Sequence, residues 1–283
     1  MRIQIGESKL FFDMEGAKLR PDGPWMREVP TVILLHGGPG FDHSSFKPAL
    51  SPLADFGQVV YLDHRGQGRS DRSTPDRWTL DHWADDVKAF CDALEIERPV
   101  VMGTSFGGFV AMAYATRHPE HPGKLILSST AARKRLDRSL ARFERLGGPH
   151  AREVAEEFWS HPTDESRAEY VRVCVPLYNR RGHFLQDQDR LRRTVFNFQL
   201  ANHFINGENR TYNLLPDLGR IRCPTLILAG EDDPLFPPQD SEDIAGAIPA
   251  EFVRFERFPN AGHGVYSDDP ERALQIIRDF IAS

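Results

Sequence analysis

Short apolar runs recur along the chain, each closed by glycine, proline or a polar cluster. Val32 to Leu35 ends in a glycine cluster, Val59 to Leu62 in Asp63-His64-Arg65-Gly66, and Val100 to Met102 in Gly103-Thr104-Ser105. Leu125 to Leu127 and Leu226 to Ala229 repeat the pattern, and Phe252 to Phe255 reads as a last strand. Runs of branched residues without polar alternation suit strands buried on both faces. Helical patterns lie between them: Thr79 to Leu94, with Trp83, Val87, Phe90 and Leu94 on one stripe, Phe109 to His118, and a final helix opened by Pro270. Strands alternating with helices predict βαβ units and a mostly parallel sheet, an α/β fold with helices on both faces. Arg2 to Met14 alternates instead and predicts an antiparallel hairpin at the sheet edge.

The pattern changes near Arg133. From there to about Arg193 the strand runs vanish, arginine is frequent, and Phe143, Leu146, Val154, Phe158, Tyr170, Val173 and Leu177 fall at amphipathic helical spacing. This predicts a helical cap over 131–214, inserted between a first core segment, 1–130, and a second, 215–283. The arginines are expected on a solvated helix face.

Composition narrows the function classes. The chain has 283 residues, 40% hydrophobic and 27% charged, which excludes disordered and fibrous classes. A formal net charge of −6 argues against nucleic acid or a membrane surface as partner, since both select a basic excess. No apolar run approaches the roughly 20 residues of a membrane helix. Cys91, Cys174 and Cys223 are far apart, without the spacing of a zinc site, and read as reduced thiols. Met1 to Ile5 lacks the pattern of a signal peptide, so a cytoplasmic location is expected.

The chemistry is carried by Gly103-Thr104-Ser105-Phe106-Gly107, a G-x-S-x-G sequence between an apolar strand and a helix. A serine on so sharp a turn sits in a strained backbone, and glycines two positions either side remove collisions with the neighbouring strand and helix. A serine hydroxyl needs a base, and the base needs a partner that fixes its tautomer. Gly230-Glu231-Asp232-Asp233-Pro234 follows the late strand; Asp233 fits the position of the acid better than Asp232. Asn260-Ala261-Gly262-His263-Gly264 then places a histidine between small residues. Ser105, Asp233 and His263 are therefore the candidate nucleophile, acid and base. His36-Gly37-Gly38-Pro39-Gly40 lets backbone N–H groups approach a ligand oxygen, so the amides of Gly38 and Phe106 are the candidate oxyanion donors.

These motifs resemble the α/β-hydrolase superfamily, and within it the proline iminopeptidase branch. His36-Gly37-Gly38-Pro39-Gly40 matches that branch's HGGPG loop. Asp63-His64-Arg65-Gly66-Gln67-Gly68-Arg69-Ser70 is similar to its D-Q-R-G-x-G-x-S stretch, with His64 in place of Gln, and Asn202-His203-Phe204 to part of E-N-H-Y-F in its cap. The resemblance implies an α/β-hydrolase fold, an acyl-enzyme mechanism, no metal or organic cofactor, and a small-molecule or short-peptide substrate such as a peptide with N-terminal proline. Phe106 stands where the branch often has tryptophan. Ala201 stands where the branch has a glutamate that holds the substrate's amino terminus, which brings in an esterase or lactonase as the alternative. Trp159, Phe204 and Glu208 are the candidate substrate contacts, Glu208 as a substitute carboxylate. Phe158, Tyr170, Tyr178, Phe184, Phe196 and Phe198 are further cap aromatics.

Overall fold

The computed structural model describes residues 1–181 and 188–283. Its centre is a sheet in which alternate residues of the same strands feed opposite cores. Ile33 and Leu35 face one core while Val32 and Leu34 face the other, and all four are fully buried. This two-sided burial is the reason the strands read as continuous apolar runs.

Two antiparallel strands, β1 (Arg2–Ile5) and β2 (Ser8–Glu15), open the chain. A separate exposed hairpin follows, β3 (Leu19–Asp22) and β4 (Trp25–Glu28), which the apolar pattern does not predict. The remaining strands are β5 (Thr31–Leu35), β6 (Gln58–Leu62), β7 (Val100–Thr104), β8 (Lys124–Ser128), β9 (Thr225–Gly230) and β10 (Val253–Phe258). Among the described residues eight strands form one sheet in the order β1-β2-β6-β5-β7-β8-β9-β10. The pairs from β6 to β10 are parallel; β1–β2 and β2–β6 are antiparallel.

The helices α1 (Leu80–Ala93) and α2 (Phe106–Arg117) pack on one face. Between β8 and β9 come α3 (Leu136–Ser160), broken at Gly148-Pro149, then α4 (Asp164–Val173), α5 (Gln188–Arg193) and α6 (Phe198–Asn206). This segment has a core of its own around Phe143, Phe158 and Tyr170. Several of its arginines lie on the expected solvated face, but some are drawn toward acids outside the segment. Arg138 pairs with Asp240 and Asp243, at 2.6 and 2.9 Å, and Arg145 and Arg180 both pair with Asp232. These acids lie beyond β9, so the charges tie the helical segment to the sheet. The chain ends with α7 (Pro238–Ala247), α8 (Val265–Asp268) and α9 (Pro270–Ala282), the last covering the second face.

One buried ion pair holds the loop after β6. Arg65 donates from Nε and Nη2 to both carboxylate oxygens of Asp86 on α1, at 2.8 and 2.5 Å, while Trp83 Nε1 donates to the Arg65 carbonyl at 3.0 Å. Both ion-pair side chains are 8% exposed. Removing one partner strands the other charge out of water. Asp86→Ala should therefore cost about 3–5 kcal/mol, read from urea unfolding of the variant beside the parent protein.

Candidate active site

Ser105 sits between β7 and α2 at φ 56°, ψ −121°, a strained conformation for a residue with a side chain. Neighbouring backbone holds it there. Its N–H donates to the Ser128 carbonyl at 3.0 Å, and its carbonyl accepts from Thr130 Oγ1 at 2.8 Å and the Gly108 amide at 2.9 Å. A Cβ on Gly103 would overlap the Gly107 carbonyl oxygen, and one on Gly107 would overlap that of Leu35. The glycines let α2 lie against β7 and β5 at backbone contact.

Asp233 is fully buried at the end of β9. Its Oδ1 accepts from the amides of Leu235 and Phe236, at 2.8 and 3.0 Å, and its Oδ2 faces His263 Nδ1 at 2.9 Å. Since a carboxylate accepts, Nδ1 donates, which leaves the lone pair of the neutral ring on Nε2. Asp232, the other acid weighed from the sequence, faces Arg145 and Arg180 instead. The loop of His263 is pinned by its own amide, which donates to the Tyr178 carbonyl at 2.6 Å, and by Gly262 N–H, which donates to Asp268 at 2.8 Å. A Cβ on Gly262 would overlap the Tyr178 carbonyl, which accounts for the small residue beside the histidine.

The glycine loop after β5 is set by a second histidine. His36 is fully buried. Its Nε2 accepts from the His64 amide at 3.3 Å and its Nδ1 stands 2.8 Å from the Gly37 carbonyl, so it holds its proton on Nδ1. Burial pushes its pKa below the usual histidine value and keeps the ring neutral. Gly37 lies against Ser105: a Cβ there would come within 3.3 Å of the serine Cβ. The amide of Gly38 donates to no acceptor among the described residues. Phe106 opens α2, where an amide has no acceptor within the helix.

Ser105, His263, Gly38 and Phe106 all line one cavity of about 460 Å³. Among the described residues no hydrogen bond joins Ser105 Oγ to the His263 ring. The walls are mainly apolar and aromatic, with Phe158, Trp159, Tyr170, Tyr178, Phe196 and Phe198 among them. Phe184 lies outside the described residues. Among the described residues no Asp or Glu lines the cavity, whereas Arg167 and Arg190 do. No group of three or more His, Cys, Asp or Glu that could hold a metal ion occurs among them either.

Residues 30–270 match the family described as alpha/beta hydrolase fold. A proline iminopeptidase, PfmaB of Pestalotiopsis fici, is 30% identical over 96% of this chain and 98% of its own. Two solved structures cover the whole chain. The thermophilic esterase of Thermogutta terrifontis has a TM-score of 0.73 at 26% identity over 98% of its chain, and the proline iminopeptidase of Mycobacterium smegmatis 0.76 at 22% over 97%.

The chain belongs to the α/β-hydrolase family. It lies with the proline iminopeptidase-like members of that family, and its departures from them can now be placed in space. Ala201 lines the cavity, so the alanine puts a methyl group on the wall. Two expected substrate contacts are corrected. Phe204 does not reach the cavity. It is buried behind Phe106, with ring centroids 5.1 Å apart, and also packs on Trp83, because the apolar stripe of α6 faces the core there. Glu208 does not reach it either. Its Oε2 accepts the Leu80 amide at 2.9 Å and so caps α1, where Thr79 accepts the His82 amide. Half-buried, Glu208 has its pKa pushed up by desolvation. Trp159 does line the cavity, with its Nε1 donating to the Tyr170 hydroxyl at 3.2 Å.

Sequence reading missed Arg167 and Arg190, whose signal was masked by the general abundance of arginine in the segment. It also missed Tyr178, which was counted only as an aromatic but supplies the carbonyl that fixes His263. The cap on α1 gives a separate prediction. Glu208→Ala should lower stability by about 0.5–2 kcal/mol in thermal or urea unfolding, with hydrolase activity per folded molecule unchanged.

Proposed function

We propose that this protein is a serine hydrolase that works through an acyl-enzyme on a small ester or lactone. The observation that carries the reading is the Asp233–His263 pair opening onto the same cavity as the strained Ser105. In this reading Ser105 Oγ attacks the substrate carbonyl carbon while His263 Nε2 takes the hydroxyl proton. Asp233 holds the ring in the required tautomer and balances its charge. The Gly38 and Phe106 amides stabilise the oxyanion of the tetrahedral intermediate, each contributing roughly 2.7–4 kcal/mol in the transition state. The intermediate collapses as His263 gives its proton to the leaving oxygen. Water then attacks the acyl-enzyme with His263 again as base, releasing the acid and restoring the serine. Hydrogen bonds of this kind are often long without substrate and close in the complex, so the open Ser105–His263 arrangement is compatible with the mechanism. In this reading residues 131–214 act as a cap that roofs the site, and the partner is a small-molecule substrate.

The cavity favours an ester or lactone over a peptide with a free amino terminus. Burying a substrate ammonium without a carboxylate is costly, and the described cavity wall offers none, with Ala201 at the family position and Glu208 committed to α1. An aminopeptidase is the second reading, favoured by the relationship to the Pestalotiopsis fici enzyme.

A fluorophosphonate probe should label Ser105 in the parent protein and fail to label a normally folded Ser105→Ala variant. Lack of labelling in the parent would remove the mechanism. Ser105→Ala and His263→Ala should each lower kcat by on the order of 10⁶-fold, and Asp233→Asn by roughly 10⁴-fold, in steady-state ester hydrolysis. Short acyl esters and lactones should be turned over in preference to prolyl arylamides. The opposite order would establish the aminopeptidase reading.

A further inference from the structure

The cavity wall carries arginine and, among the described residues, no carboxylate. That imbalance is a statement about substrate charge. Arg167 is on α4 and lines the cavity together with Phe198 of α6, its guanidinium carbon 5.6 Å from the centre of the Phe198 ring. Its Nη2 donates to Asn202 Oδ1, a neutral acceptor. Its Nε is buried and has no hydrogen-bond partner among the described residues. Among the described residues no carboxylate lies within ion-pair distance of it. Asp164, a turn earlier on α4, acts on it only at longer range. Most other half-buried arginines of the helical segment have such a partner: Arg138 has two.

An arginine half withdrawn from water without a counter-ion is expensive to keep, and its planar fork is suited to a carboxylate. The surroundings indicate where a ligand would place that group. Phe198, Val171 and Leu191 line the cavity and are also exposed, at 60, 45 and 38%, so this end is its mouth. Ser105, only 7% exposed, marks the deep end, and apolar wall lies between. Lys134 does not line the cavity; it stands in a small neighbouring pocket behind Trp159, its Nζ 4.8 Å from the centre of that ring. Arg190 also lines the cavity.

We propose that the substrate is an anionic ester: an acyl chain whose far end carries a carboxylate held by Arg167 while its carbonyl reaches Ser105. The inference rests on the serine hydrolase reading and adds the charge class of the substrate. An apolar chain with a carboxylate at its outer end matches the sequence of surfaces from deep end to mouth. The same field opposes a cationic substrate such as a peptide amino terminus.

The test compares para-nitrophenyl monoesters of straight-chain dicarboxylic acids, adipic to sebacic, with para-nitrophenyl alkanoates of equal chain length. The parent protein should favour the charged member of at least one pair by roughly 10–100-fold in kcat/KM, mainly through KM. The chain length at the maximum reports the distance spanned. Arg167→Gln should abolish that ratio, and Arg167→Lys should restore part of it, which a merely structural role would not do. Equal or inverted ratios at every length would overturn the proposal. The rate of fluorophosphonate labelling at Ser105 separates the two readings. Normal labelling without charge preference sinks this inference alone, whereas failed labelling sinks the hydrolase reading. Binding to Ser105→Ala by calorimetry needs no turnover: monomethyl suberate should bind more tightly than dimethyl suberate, and Arg167→Gln should remove the difference. Equal binding of the two overturns the assignment on its own.

Discussion

The close approach of α2 to the sheet governs the geometry of the site. Gly103 and Gly107 bring the helix onto β7 and β5 at backbone contact, and no other residue type leaves that space. The turn between strand and helix is then too tight for ordinary dihedrals, and Ser105 takes the strained conformation that lifts its hydroxyl into the cavity. The same approach sets Phe106 at the helix start with a spare amide, and brings Gly37 against the serine. Strain at one residue is therefore held by packing from three elements. The Ser128 carbonyl and Thr130 hydroxyl close the arrangement from the β8 side.

Much of this was legible in the sequence because the controlling residues have few alternatives. A glycine pair around a serine after an apolar strand has a steric meaning, and Gly262 beside His263 proved to mark a contact with the Tyr178 carbonyl. The strands from β5 to β9 were legible because both faces are covered, so their runs are mainly apolar, whereas β10 at the sheet edge carries Arg254, Glu256 and Arg257, and only its start reads as a strand. The β3–β4 hairpin escaped because β4 is exposed along its whole length and its partner has one half-buried residue, leaving no alternation to read. The start of α2 was placed three residues late, since Gly107 and Gly108 are poor helix formers and tertiary contact overrides their propensity.

What escaped at the site is more instructive. Residue type and position relative to a family motif point to Phe204 and Glu208, yet Phe204 packs in the core and Glu208 caps α1. Type alone cannot tell which side of α6 faces the cavity: Ala201 and Ile205 line it, while Phe204 points toward Trp83. Conversely, arginines expected on a solvated face divide into three groups. Some tie the helical segment to acids beyond β9, some meet solvent, and Arg167 lines the cavity. Composition counts these as one class, and only their partners separate them.

The two kinds of arginine also explain how the segment can carry a charged cavity wall. Exposed ion pairs contribute little individually, about 0–1 kcal/mol each, so the attachment through Arg145 and Arg180 provides register more than stability. The helical segment's own aromatic core holds its shape without them. That leaves the fold free to keep Arg167 half-buried with only a neutral acceptor, Asn202, and no carboxylate among the described residues. A side chain in that state gains more from a ligand carboxylate than an ion-paired one would, because no protein carboxylate has to be displaced first.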